Sequence, residues 1–153
     1  MRIMALDVGA RRIGVAVSDP LGWTAQAHSV LHRRRPEEDL EALARLVAEL
    51  GAERVVVGLP RRLDGSEGPA AESVKEFAGA LANVIEVPVE LYDERLTTVE
   101  AEAVLLSGDL SRRRRRQVVD KVAAALILDG YLRRAGGKNN PRPSGPGQET
   151  ERT

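Results

Sequence analysis

Three acids sit where chemistry is usually done. Asp7 lies in the apolar run Met4-Ala5-Leu6-Asp7-Val8, Glu94 follows Asp93 at the end of a later apolar stretch, and Asp120 heads a third. Carboxylates drawn together in a poorly solvated place repel one another unless a cation neutralises them. Hard divalent ions such as Mg²⁺ or Mn²⁺ prefer oxygen ligands of this kind. A carboxylate cluster can hold two such ions about 3.5–4 Å apart, one to activate water and one to stabilise a leaving oxygen. Each acid taken singly has a plainer explanation as turn former, cap or surface charge. That explanation fits Asp7 least well, because its neighbours are apolar. Asp93 stands in reserve for Glu94, since adjacent strand residues face opposite sides.

The basic residues are the second signal. Arg112, Arg113, Arg114, Arg115 and Arg116 run unbroken just before Asp120. Such a strip suits a polyanion, whose affinity for protein is dominated by phosphate neutralisation; the plainer reading is a solvated helix face. Arg11 and Arg12 lie in the turn after Asp7, and Arg61 and Arg62 open the polar loop from Pro60 to Pro69. All four, with Arg95, are candidates for contact with backbone phosphates. Gly9 and Gly14 have a spacing like that of a phosphate loop, but Val15 stands where a lysine is required. A nucleotide P-loop is thereby disfavoured. His28 and His32 are better read as strand or surface residues than as zinc ligands, and Trp23 as a core or loop packing residue rather than one that stacks on a base.

The elements that must position these groups follow from periodicity. Arg2 to Val8 and Ile13 to Val17 are apolar runs joined by a tight turn, so they pair as a hairpin. About Thr24 to Leu31 makes a third antiparallel strand. Pro36 opens a helix with Leu40, Leu43, Val47 and Leu50 on one face and Gly51 as its stop. Arg54 to Leu59, with Val55-Val56-Val57, reads as a buried parallel strand. A helix over Ala70 to Asn83, a strand over Val87 to Tyr92, a capped helix from Thr97 and an apolar helix over Val118 to Leu132 complete the order. Right-handed crossovers add the later strands in parallel to the hairpin sheet. The expected fold is α/β, one mixed sheet flanked by helices.

Composition sets the outer limits. The 153 residues are 42% hydrophobic and only 3% aromatic, so the core is aliphatic. With no cysteine there is neither a disulfide framework nor a thiolate metal site. Lys+Arg and Asp+Glu are both 23, so any affinity for nucleic acid must come from how charge is distributed. No run is long and apolar enough to cross a bilayer, and Asp7 comes too early for a signal peptide, so a cytoplasmic protein is expected. Residues 1–135 make one domain. From Gly136 the chain is rich in Gly, Pro and polar residues, and 136–153 is expected to be a disordered tail.

Four segments together resemble the YqgF family. They are Ala5-Leu6-Asp7-Val8-Gly9 through to Asp19, Val57-Gly58-Leu59-Pro60 with Asp64 to Pro69, Asp93-Glu94-Arg95-Leu96-Thr97-Thr98, and Asp120-Lys121-Val122-Ala123-Ala124. They fall in family order across Met1 to about Leu132. The resemblance implies a ribonuclease H-like fold, with Asp7, Glu94 and Asp120 as the acidic triad. It implies a nuclease that processes the 5′ end of pre-16S ribosomal RNA, acting in ribosome biogenesis on free RNA or within a pre-ribosomal particle. The alternative is a Holliday junction resolvase acting on branched DNA. A non-catalytic RNA-binding assembly factor is a further reading, and a nucleotide-binding kinase-like module is disfavoured because it needs two such domains. Sequence leaves the oligomeric state open.

The arginine strip yields a direct test. Replacing Arg113, Arg114 and Arg115 with Gln is expected to weaken binding to all RNAs alike. The dependence of log affinity on log salt should flatten by about 0.7–0.9 per lost phosphate contact. Titration over a salt series measures this, and an unchanged slope assigns the strip to a solvated face.

Overall fold

The computed structural model describes residues 1–62, 64–93 and 112–135, and of 112–120 and 135 the backbone alone. The first strands form as expected: β1 (Ile3–Val8), β2 (Arg12–Ser18) and β3 (Ala25–His32). β1 pairs antiparallel with β2, placing Asp7 opposite Gly14, and β2 pairs antiparallel with β3. Asp19 shapes the β2–β3 turn, its carboxylate accepting the N–H groups of Leu21, Trp23 and Thr24. Trp23 is 60% exposed on this turn, so of the core or loop packing expected for it the core is excluded.

Helix α1 (Pro36–Leu50) starts with Pro at its first position and stops at Gly51, whose left-handed backbone (φ 67°) favours glycine. Then come β4 (Arg54–Leu59), α2 (Pro69–Ala82) and β5 (Val89–Asp93). β4 lies parallel to β1, and β5 parallel to β4. The sheet order is β3-β2-β1-β4-β5, three antiparallel strands extended by two parallel ones. Helix α3 (Arg112–Ala135) is the last described element. It begins earlier than expected: the arginine run lies inside the helix, and Asp120 lies in its interior, not at its head. Arginine is a good helix former, so the run does not interrupt the helix that follows. The helix expected from Thr97 and the tail from residue 136 lie outside the described residues.

Strand alternation divides the core into two layers. Met4, Leu6, Ile13, Val15, Val55 and Val57 face α1 and α2, where Leu43, Val47, Val74, Phe77 and Leu81 meet them. Ile3, Ala5, Ala16 and Val56 face the other way, against Ala124, Ile127, Leu128, Tyr131 and Leu132 of α3.

A polar anchor seats the end of α3. Arg54 donates to the Tyr131 hydroxyl at 2.7 Å, that hydroxyl donates to Glu90 at 3.0 Å, and Arg54 pairs with Glu90 at 3.2 Å. Burial pushes the Tyr131 hydroxyl above its ordinary value of 10.0, Arg54 pulls it back in part, and Glu90 adds to the rise. A folded value above the unfolded one means the unfolded chain releases this proton first. The contribution of Tyr131 is therefore complete below about pH 10 and is lost as pH rises through the folded value. Tyr131→Phe is expected to melt at a lower temperature than wild type at pH 7. The gap should narrow in alkaline solution, which calorimetry from pH 7 to 11 can follow.

Candidate active site

Alternation fixes which way each strand acid points. Met4, Leu6 and Val8 lie in the α1–α2 layer, and Ile3 and Ala5 in the α3 layer. Asp7 therefore belongs to the α3 side. Its partner across β2 is Gly14. On the other side the last parallel pair is Leu6 with Val57, so the next residue in line is Gly58. The half-buried Asp7 thus has a glycine as its cross-strand neighbour on β2 and a glycine next in line on β4. In β5, Glu90 and Tyr92 point to the α3 layer, while Val89 packs in the other. Asp93, in register with Leu59, falls on the α1–α2 side and pairs with Arg61 at 3.8 Å. It cannot share an ion with Asp7 through the sheet, so its reserve role is set aside.

Glu94 and Arg95 lie outside the described residues. Asp120 is described by its backbone alone, on the helix that covers the Asp7 face. Position 120 stands four residues before Ala124 and seven before Ile127, both buried against the sheet. Helical periodicity places it on the same stripe. Among the described residues no cluster of three ligating side chains forms.

The arginines divide by what they touch. Arg61 pairs with Glu67 at 3.3 Å as well as with Asp93, and Arg62 donates to Ser66 within the same loop. Lys75 hydrogen-bonds to Glu67 too, and with Arg61 it holds the Glu67 carboxyl below the usual range. Both arginines therefore brace the loop. Arg11 is exposed and Arg12 half-buried in the β1–β2 hairpin, while Arg112 to Arg116 occupy the start of α3.

Sequence reasoning missed the brace that holds this hairpin. Asp39 is 2% exposed although it sits in the first turn of α1, the usual place for a solvated acid. It accepts the Arg34 N–H at 2.9 Å and pairs with Arg33 at 3.3 Å. Arg33 also donates from Nη1 to the Gly9 carbonyl at 2.8 Å and lies 5.1 Å from the Phe77 ring centroid. Gly9 is held on both sides, because its N–H donates to the Arg12 carbonyl at 2.8 Å. A β-carbon at position 9 would come within 2.9 Å of that oxygen, so glycine is required by close approach. Only the run Arg33-Arg34-Arg35 beside an acid hints at this brace in the sequence.

Comparison with known proteins gives a consistent result. The RuvX family, described as "Holliday junction resolvase", matches residues 1–134. A protein of Moorella thermoacetica named "Putative pre-16S rRNA nuclease" is 60% identical over 136 residues, covering 89% of this chain and 97% of that protein. A protein of the same name from Pelotomaculum thermopropionicum is 53% identical, covering 95% and 98%. Among solved structures, Thermus thermophilus RuvC in complex with Holliday junction substrate superimposes with a TM-score of 0.58 at 18% identity, covering 88% of this chain and 96% of that one. The fowlpox virus resolvase bound to junction DNA gives 0.53 at 12%, covering 88% and 98%. These structures establish the fold.

Asp39→Ala would leave the Arg33 guanidinium and the Arg34 N–H without their shared acceptor. The expected loss of stability is about 1–3 kcal/mol, the usual cost of stranding a partly buried donor. Urea denaturation measures it, and a loss below about 0.5 kcal/mol would show that water replaces the carboxylate there.

Proposed function

Because the chain belongs to the RuvX family, the YqgF family of the sequence motifs, we propose that it is a divalent-metal-dependent nuclease with Asp7, Glu94 and Asp120 as its acidic centre and structured RNA, above all pre-16S ribosomal RNA, as its substrate. The observation that carries the reading is the placement of Asp7. A carboxylate in a strand at the sheet centre faces the helix that bears Asp120, with glycines on both sides of it. Hard oxygen donors of this type fit Mg²⁺ or Mn²⁺. When bound, a pair of such ions supplies an activated water and stabilisation for the leaving oxygen.

The chain's own residues orient the substrate. Asp7 is held on a rigid strand paired on both sides, which suits a group that must keep its geometry. Gly14, opposite it on β2, and Gly58, next in line on β4, add no side chain of their own to this spot. Arg11 and Arg12 extend from the adjoining hairpin, and Arg95 and the arginine strip provide further phosphate contacts. Guanidinium groups position a backbone without reading sequence. Residues 1–135 form the catalytic domain and 136–153 a tail outside it. The runner-up substrate is a four-way DNA junction, favoured by the family's description and by the fold it shares with junction resolvases.

Asp7→Asn keeps the size of the side chain and removes its charge. It is expected to lower cleavage in Mn²⁺ by at least about a thousandfold while RNA affinity measured in EDTA stays within about threefold. Single-turnover assays on a pre-16S fragment, a linear duplex and a four-way junction decide both role and substrate. An undiminished rate in a folded variant would remove Asp7 from the mechanism.

A further inference from the structure

The run His32-Arg33-Arg34-Arg35 has no part in the reading above, yet the fold brings it against the Asp7 hairpin. Arg12 is in register with His32, and the Arg33 N–H donates to the Arg11 carbonyl at 2.8 Å. Two basic segments distant in sequence thus share one end of the sheet, next to Gly9 and two residues beyond Asp7.

Within this cluster the charges have different duties. Arg33 is neutralised by Asp39 and ties backbone to backbone. Arg11, Arg34 and Arg35 are exposed, and among the described residues none of them makes a side-chain hydrogen bond or ion pair. Glu37 and Glu38, exposed in the first turn of α1, are the nearest exposed acids in sequence to Arg34 and Arg35, and with the half-buried Asp7 four residues before Arg11 they reduce the local field. Against the two exposed carboxylates stand the three exposed guanidinium groups of Arg11, Arg34 and Arg35. A positive excess therefore remains at this spot on a chain whose net charge is zero.

We propose that Arg11, Arg34 and Arg35 form a phosphate-binding patch that grips nucleic-acid backbone beside the segment engaged at Asp7. The proposal rests on the nuclease reading and adds a site to it. The turn that presents these side chains is already ordered, by the Arg34 N–H on Asp39 and by both bonds of Arg33 to the hairpin. Binding then immobilises side chains only, which lowers its entropic cost. Its ligand is the phosphodiester backbone itself, so the patch distinguishes neither sequence nor base.

The test uses the full chain in EDTA, with a fluorescein-labelled DNA duplex, a four-way junction and a structured RNA as probes. Compared with Arg11→Gln alone, the variant Arg11→Gln/Arg34→Gln/Arg35→Gln is expected to bind each probe about tenfold or more weakly at low salt. Its slope of log affinity against log salt should fall by about 0.9 per lost contact on the duplex. Arg133→Gln, near the C-terminal end of α3, is the control and should leave affinity and slope unchanged. All the replaced side chains are exposed, so a matching thermal melt separates lost contacts from lost folding. Mn²⁺-dependent cleavage by the wild-type chain is run alongside. Cleavage together with a slope in the triple variant no lower than that of Arg11→Gln overturns the patch and leaves the nuclease reading standing. Absence of both binding and cleavage in the wild type overturns both.

Discussion

The structure depends on β1 being buried on both faces while hydrogen-bonded on both edges. Its neighbours are antiparallel β2 and parallel β4. That position fixes the parity of every side chain it carries. Shifting the register by one residue would turn Leu6 towards α3 and Asp7 into the aliphatic layer beneath α1 and α2. Burial of Met4 and Leu6 on one side and of Ile3 and Ala5 on the other makes that shift prohibitive. The direction of the carboxylate is thus set by hydrophobic packing.

Two polar clamps hold helices to this sheet, one for each layer. On the α1–α2 side, Arg33 joins Gly9, Asp39 and the face of Phe77. On the α3 side, Arg54 and Glu90 share the Tyr131 hydroxyl, and Tyr92 meets the Tyr131 ring edge-on at 6.2 Å. Each clamp centres on an arginine, whose planar donor set can serve several acceptors at once. In a core with so few aromatic rings, these contacts provide directional restraint that aliphatic packing lacks.

Much of the fold was legible because its signals are local. Alternation marked β1 and β2, helical spacing and Gly51 marked α1, and three consecutive valines marked β4. The order of parallel and antiparallel strands followed from connection lengths. What sequence did not reveal depends on distant partners. Asp39 resembles any acid in a first helical turn until Arg33 and the Arg34 N–H close on it. The exposure of Trp23 depends on which turn residues reach the core, and composition does not say. The start of α3 was placed too late because a run of arginines resembles a solvated linker, although each one favours a helix. The sequence proposes the candidate site through its acids, and the parity of β5 separates Asp93 from the face of Asp7. Glu94 and the side chain of Asp120 lie outside the described residues.

The core layer on the Asp7 side joins strands from early in the sequence to a helix from late in it. The strands β1, β2 and β3 are contiguous in sequence and can assemble early, since their contacts are local. Their second face is covered by α3, the last described element to be synthesised. During translation the face bearing Asp7 therefore lacks α3 until residues 112–135 have emerged. An incomplete copy can form the meander and still lack the helix that completes this side of the sheet. Order of synthesis thus acts as a built-in delay: among the described elements the helix on the Asp7 face arrives last, and a chain truncated before it is left with an exposed apolar surface.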